Sequence, residues 1–196
     1  MADWRSAGRL CSLVVMSCLL CLGFWQLGRG AYIPTKAWVA QEMMQKAWHR
    51  AGIGIDKPVP WPWADTWPVA KLTAKRGDVE LIVLEGGSGR TMAFGPGHLS
   101  ASSMPGEDGN VIIAGHRDTH FQFLRDLHIG ETIMFEMADG KNHLYRVSSL
   151  DVVDSRRASI VMDTDEPMLS LVTCYPFNAT EPGGPMRYIV SAEMVF

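Results

Sequence analysis

The chain has little net charge: 18 Lys and Arg stand against 21 Asp and Glu over 196 residues, a formal net of −3. The cations form no stripe, so no broad field draws nucleic acid or an anionic lipid surface to it. Internal repeats and low-complexity tracts are missing too, which removes solenoids and long disordered tails. Cysteine is scarce. Of four, Cys11, Cys18 and Cys21 fall within one apolar run, which leaves Cys174 alone in the remainder. A lone thiol cannot form an internal disulfide, so Cys174 is either a buried inert side chain or a reactive one.

The longest uncharged stretch is Leu10–Gly28, LCSLVVMSCLLCLGFWQLG, set between Arg9 and Arg29. Nineteen residues at about 1.5 Å each span roughly 28 Å, the thickness of a bilayer's hydrocarbon core. Trp25 lies near one end, where aromatic rings favour the interface. A cleaved signal peptide is the alternative; the run is longer than a usual h-region and no Ala-x-Ala site follows, so an uncleaved anchor is expected. Val15-Met16-Ser17-Cys18 is a poor lipoprotein signal, because little apolar sequence precedes its Cys. Arg5 and Arg9 precede the run while Arg29 and Lys36 follow it, so charge counting barely decides orientation. A short tail before the span and a large domain after it is the layout of a signal anchor with its domain outside. The expected organisation is a cytoplasmic tail (1–9), a transmembrane signal anchor (10–28), a helical stalk with a Pro/Trp-rich linker (29–60), and a catalytic domain (61–196).

Thr35–Arg50 is rich in helix formers, with Thr35 placed as an N-cap and glycines at 52 and 54 to end it. Lys57–Pro68 then packs four Pro and three Trp into twelve residues, which excludes helix and predicts an extended strap whose indoles cover apolar surface. Beyond it the pattern is β: Val69–Ala74, Val79–Leu84, Thr91–Phe94, Asn110–Ala114, Thr132–Met137, His143–Val153, Leu169–Cys174 and Arg187–Val195. Asp139-Gly140 marks a hairpin and Thr119–Leu127 a short helical turn. About eight short strands with little helix predict an all-β, closed or nearly closed barrel.

Three residues stand where chemistry could use them. Cys174 ends the run Leu169–Thr173, at a strand end that holds a nucleophile while opening it to a loop. His116 follows the strand Asn110–Ala114, with Gly115 leaving its imidazole uncrowded. Thiol catalysis needs such a pair, since a thiolate attacks and an imidazole protonates the leaving amine. Arg187 opens the last strand, and a permanently charged guanidinium suits a developing oxyanion. Spacing alone does not bring the three together, so on residue types the triad is one grouping among others.

The wording of these segments adds to the pattern. Ala114-Gly115-His116-Arg117, Leu171-Val172-Thr173-Cys174 and Arg187-Tyr188-Ile189-Val190 resemble the three signature segments of sortases. Gly95-Pro96-Gly97-His98, Pro105-Gly106 and Gly109-Asn110 look like the approach to the sortase histidine, and Trp61–Thr66 is similar to the opening of the sortase class of Gram-negative proteobacteria. The resemblance runs from Trp61 to Phe196. It implies an eight-stranded sortase-type barrel and a cysteine transpeptidase acting on a sorting signal similar to Leu-Pro-x-Thr-Gly through a thioacyl enzyme. Cys174 would be the nucleophile, His116 the acid/base and Arg187 the oxyanion stabiliser, with Thr173, His120, Ala114 and Gly115 binding substrate or supporting. No cofactor and no metal are implied. The implied partner is one dedicated target protein with a C-terminal signal, with the acceptor amine open, and the implied location is the inner membrane with the domain in the periplasm. Ser170 departs from the Thr of many sortases, and the loops Ser155–Pro167 and Asn178–Pro185 match no particular substrate type.

Rival readings make different demands. His116 and His120 are spaced i, i+4 with His98 and His128 near, yet no Glu follows His116 and no second Cys accompanies Cys174 in the domain, which disfavours a metal. Asp151, Asp154, Asp163 and Asp165 show no binding-loop pattern for calcium. Papain-like enzymes place Cys before His, the reverse of the order here, and L,D-transpeptidases carry a Ser-x-Gly-Cys type motif. A hydrolase on the same barrel stays open, because water can replace the amine. The non-enzymatic alternative is a membrane-tethered interaction module whose Cys174 is inert.

Overall fold

The computed structural model describes residues 4–76, 78–181 and 183–195, with side chains at all of these except 4–12 and 27–34. The chain divides into two compact units, Met1–Gln41 and Glu42–Phe196. Helix α1 runs over Trp4–Gly52. The expected opening at Thr35 is corrected: that residue lies inside α1, and helical backbone precedes it without a break, so it is not an N-cap. Among the described residues no helix is long and apolar enough to cross a membrane. The expected span 10–28 extends into positions whose side chains lie outside the description, while its described part exposes Leu13, Val14, Leu19, Leu20, Phe24 and Trp25. The C-terminus of α1 closes as a Schellman motif. Gly54, at φ +87°, donates to Ala51 O (2.9 Å) and Ile55 donates to Arg50 O (3.1 Å).

The second unit is built on eight strands: β1 (Pro68–Ala74), β2 (Val79–Glu85), β3 (Gly97–His98), β4 (Asn110–Ala114), β5 (Thr132–Met137), β6 (Asn142–Asp154), β7 (Met168–Cys174) and β8 (Met186–Val195). They close into a barrel in the order β1-β2-β3-β4-β7-β8-β6-β5, with β5 pairing back onto β1. Closure leaves no sheet edge to be capped. Alternation supplies the core: Ala70, Leu72, Val83, Ile113, Ile133, Phe135, Tyr145, Leu171 and Val190 point inward and are buried. The Tyr145 hydroxyl keeps a partner there, accepting from Gly106 N at 3.0 Å. Most pairs are antiparallel, but β2/β3 and β4/β7 run parallel, the latter from Asn110↔Met168 through Ala114↔Val172. The β4/β7 pair places two strand C-termini side by side.

Two expectations need correction. Thr91–Phe94 is not a strand: Gly89–Met92 forms one helical turn, capped by Ser88 Oγ accepting from Thr91 N at 3.1 Å. A serine satisfying the first orphan amide outweighs the β look of Thr-Met-Ala-Phe. The β pairing falls instead on Gly97 and His98, where Gly97 is required, since a Cβ there would strike the Gly86 carbonyl. The strap is docked as expected at Pro58, Pro60 and Trp61, whose indole meets Phe94 edge-on at 4.7 Å. Trp63 covers nothing; it is 79% exposed.

Candidate active site

The parallel pair β4/β7 and the antiparallel pair β7/β8 meet at one end of the barrel. Beyond Ala114↔Val172 the first ladder makes one more bond, Gly115 N to Val172 O at 3.1 Å, and then ends. His116 is the next residue and is exposed. On the other side of β7, Cys174 stands directly opposite Arg187. Opposed residues share a sheet face with Cβ atoms about 5 Å apart. Leu169, Leu171 and Thr173 alternate into the core, so Cys174 and Arg187 look outward, both half-buried. The fold thus brings the three sequence-predicted residues to one rim.

No hydrogen bond joins these three among the described residues. The Arg187 guanidinium is held by its own turn, Nη1 donating to Gly184 O at 2.7 Å and to Met186 O at 2.9 Å. Its remaining donors have no protein partner among the described residues, which suits a group meant for a transient charge. Tyr175, Phe177 and Tyr188 pack on one another, with Tyr188 and Phe177 centroids 5.1 Å apart, and Phe177 and Tyr188 also pack against the barrel core.

The supporting residues act differently from one another. Thr173 is buried and its Oγ1 donates to Gly115 O at 2.8 Å, tying β7 to the residue before His116. Ala114 pairs Gly97 on one side and Val172 on the other. At Gly115 a Cβ would lie 2.8 Å from the Phe121 ring, so the close approach of that ring requires glycine there. His120 is half-buried, and burial first, then the charge of His116, pull its pKa down. It lines a groove of about 540 Å³ with Asp78, Glu80, Thr119, Phe123 and Asp126. His98 is fully buried on other partners, and His128 is exposed in a turn. Among the described residues no three His, Cys, Asp or Glu converge as metal ligands.

One residue of this rim escaped the sequence reading. Arg117, which entered only as the last residue of the Ala114–Arg117 segment, is 6% exposed. Its Nε and Nη2 bind both oxygens of Asp118 (2.8 and 3.0 Å), Nη1 donates to Pro176 O (2.7 Å) and Nη2 to Ala179 O (3.0 Å). That hydrogen bond lowers the Asp118 pKa and raises that of Arg117, to which the nearby Cys174 charge also contributes. Nothing in the sequence pattern distinguishes a buried arginine from a surface one.

Barrel and rim together define a class: closed β-barrels carrying a lone cysteine, a histidine and an arginine at adjoining strand ends. The sortase-domain family model matches residues 72–195, and the chain belongs to the sortase family. Sortase D of Bacillus subtilis (strain 168) is 31% identical over 119 residues, 60% of this chain and 59% of the relative, so the match spans less than two thirds of that relative's length. The Clostridium perfringens Sortase D5 transpeptidase structure superposes with a TM-score of 0.64 at 21% identity, over 81% of this chain and 99% of that one. Sortase A from Corynebacterium diphtheriae gives 0.61 at 21% identity, over 80% and 84%. Sortase C-1 from Actinomyces oris gives 0.57 at 26%, over 65% and 74%.

Proposed function

We propose that the chain is a membrane-anchored cysteine transpeptidase that cleaves a sorting signal similar to Leu-Pro-x-Thr-Gly and passes the acyl group to an amine. The observation that carries this is the register Cys174↔Arg187 beside a ladder that ends one residue before His116. In this reading the Cys174 thiolate adds to a backbone carbonyl, and Arg187 stabilises the resulting oxyanion. The C–N bond then breaks as His116 gives its proton to the departing amine, leaving a thioester. An incoming amine attacks that thioester, His116 takes its proton, and the C–S bond breaks to restore the thiolate. One amide is lost and one is gained, with no redox step and no cofactor.

The apolar run 10–28 would be the single-pass anchor in the inner membrane, with the second unit in the periplasm. The likeness of Trp61–Thr66 to the proteobacterial class favours one dedicated target protein. Intact mass spectrometry of the full chain incubated with peptides of the Leu-Pro-x-Thr-Gly type and an added amine tests the chemistry. A Cys174-linked acyl adduct that resolves onto the amine, and disappears in Cys174→Ala, is expected. Resolution only to the acid would make the protein a hydrolase. A thiol that takes neither acyl group nor iodoacetamide would overturn the enzymatic reading. Protease added to intact spheroplasts tests the topology and is expected to digest the second unit.

A further inference from the structure

The β4/β7 ladder ends short of His116 and Cys174, and Cys174 pairs onward only with β8, so the backbone hydrogen bonds between β4 and β7 leave the relative placement of the two residues undetermined. Gly115 N to Val172 O is the last rung. Two side-chain tethers continue where the ladder stops. Thr173 Oγ1 reaches Gly115 O, immediately before His116. The Arg117 guanidinium, immediately after His116, reaches the carbonyls of Pro176 and Ala179, just past Cys174. His116 is thus bracketed by Gly115 and Arg117, and Cys174 by Thr173 and Pro176, through the same two tethers.

Resting on the transpeptidase reading, we propose that Arg117 is a positioning residue that sets the reach between the His116 imidazole and the Cys174 thiolate. The geometry fits that task better than a general contribution to stability. An arginine at 6% exposure would be costly to bury without partners, and here four of its N–H groups are used in a fixed fork. Two of those bonds cross 59 and 62 residues of chain to a loop that otherwise has no pairing to the His116 segment. Asp118 neutralises the guanidinium and locks its plane, yet its own side chain is 69% exposed, so its cost in desolvation is small. The charged groups around the pair are then Arg117 and Asp118 as a unit, His120 and Arg187. Lysine could keep the charge of Arg117 but could not span Asp118 and two separate carbonyls at once.

The test uses the full chain with Arg117→Lys. Three readings are taken: steady-state acyl transfer with the peptide and amine above, the pH profile of Cys174 alkylation by iodoacetamide, and thermal unfolding. Wild type and His116→Gln give the reference profiles. A displacement of about 1 Å between reacting groups can cost on the order of 100-fold in rate. A fall in kcat of that size with KM nearly unchanged, and an alkylation profile moved onto that of His116→Gln, is expected. Retention of half the wild-type kcat would overturn the proposal. So would a lowered kcat with a wild-type alkylation profile, since a merely structural arginine predicts that. Should Arg117→Lys show no cooperative unfolding transition, Asp118→Asn is read instead: a partial shift of the same profile supports positioning, and an unmoved profile overturns it. Alkylation needs no peptide, so wild type that alkylates in a His116-dependent way but transfers no acyl group would count against the transpeptidase reading and leave this one standing.

Discussion

Two histidines flanking the same stretch of β4 are handled in opposite ways. On β3, opposite Ile113, His98 is buried, with Nδ1 facing Glu85 Oε2 at 3.2 Å and Nε2 within reach of Ser103 O (3.0 Å) and Ser102 Oγ (3.2 Å). Just past the end of β4, His116 is exposed and its ring makes no hydrogen bond among the described residues, and Cys174 is a free thiol. Both histidines lie next to a glycine. What separates them is satisfaction: a polar group whose partners are all within the protein serves the fold, and one left open at a rim is available to a substrate.

The comparison breaks or sharpens under substitution. The largest effect is expected at the open rim, where Arg187→Gln should lower the rate of acyl transfer by about 100- to 1000-fold, as loss of an oxyanion donor does. Its melting temperature should hardly move, because its partners are carbonyls of its own exposed turn. Single-turnover kinetics and calorimetry check the pair of statements. At the buried histidine, His98→Ala should do the reverse, destabilising the fold by about 1–3 kcal/mol through the unpaired groups it leaves, with kcat per folded molecule preserved. Denaturant titration beside active-site labelling decides it; a kcat loss without a stability loss would dissolve the contrast.

The smallest effect belongs to His120, between the two extremes. Burial and then the His116 charge depress its pKa below the ordinary 6.5, so the unfolded chain takes up a proton that the folded protein refuses. Stability from this group is complete above about pH 6.5 and declines as pH falls through that value towards the folded pKa. Thermal melts across that window should slope downward toward acid, and His120→Asn should flatten the slope.

Much of this was readable beforehand. The β4 and β5 runs have the bounds that alternation and β-branching predict, Asn110–Ala114 and Thr132–Met137. The misread piece, Thr91–Phe94, has strand-like composition, and what overrides it is local capping by Ser88 and the closing of the chain over β2, where a Cβ on Gly95 would lie 2.8 Å from Ile82 O. Trp63 looked equivalent to Trp61, yet only one of the two meets an aromatic partner. Strap composition says that indoles seek cover, not which of them finds it.

Period-two patterning and the strand-breaking residues around it locate β4, β7 and β8, and their limits already put His116, Cys174 and Arg187 at strand ends. Whether the three ends adjoin is another matter, because it depends on β4 pairing, on the side away from β3, with β7 rather than with β5. Arg117 belongs wholly to the tertiary structure. Its carbonyl acceptors lie 59 and 62 residues away, and a guanidinium can choose among carbonyls only after barrel closure has brought particular ones within about 3 Å.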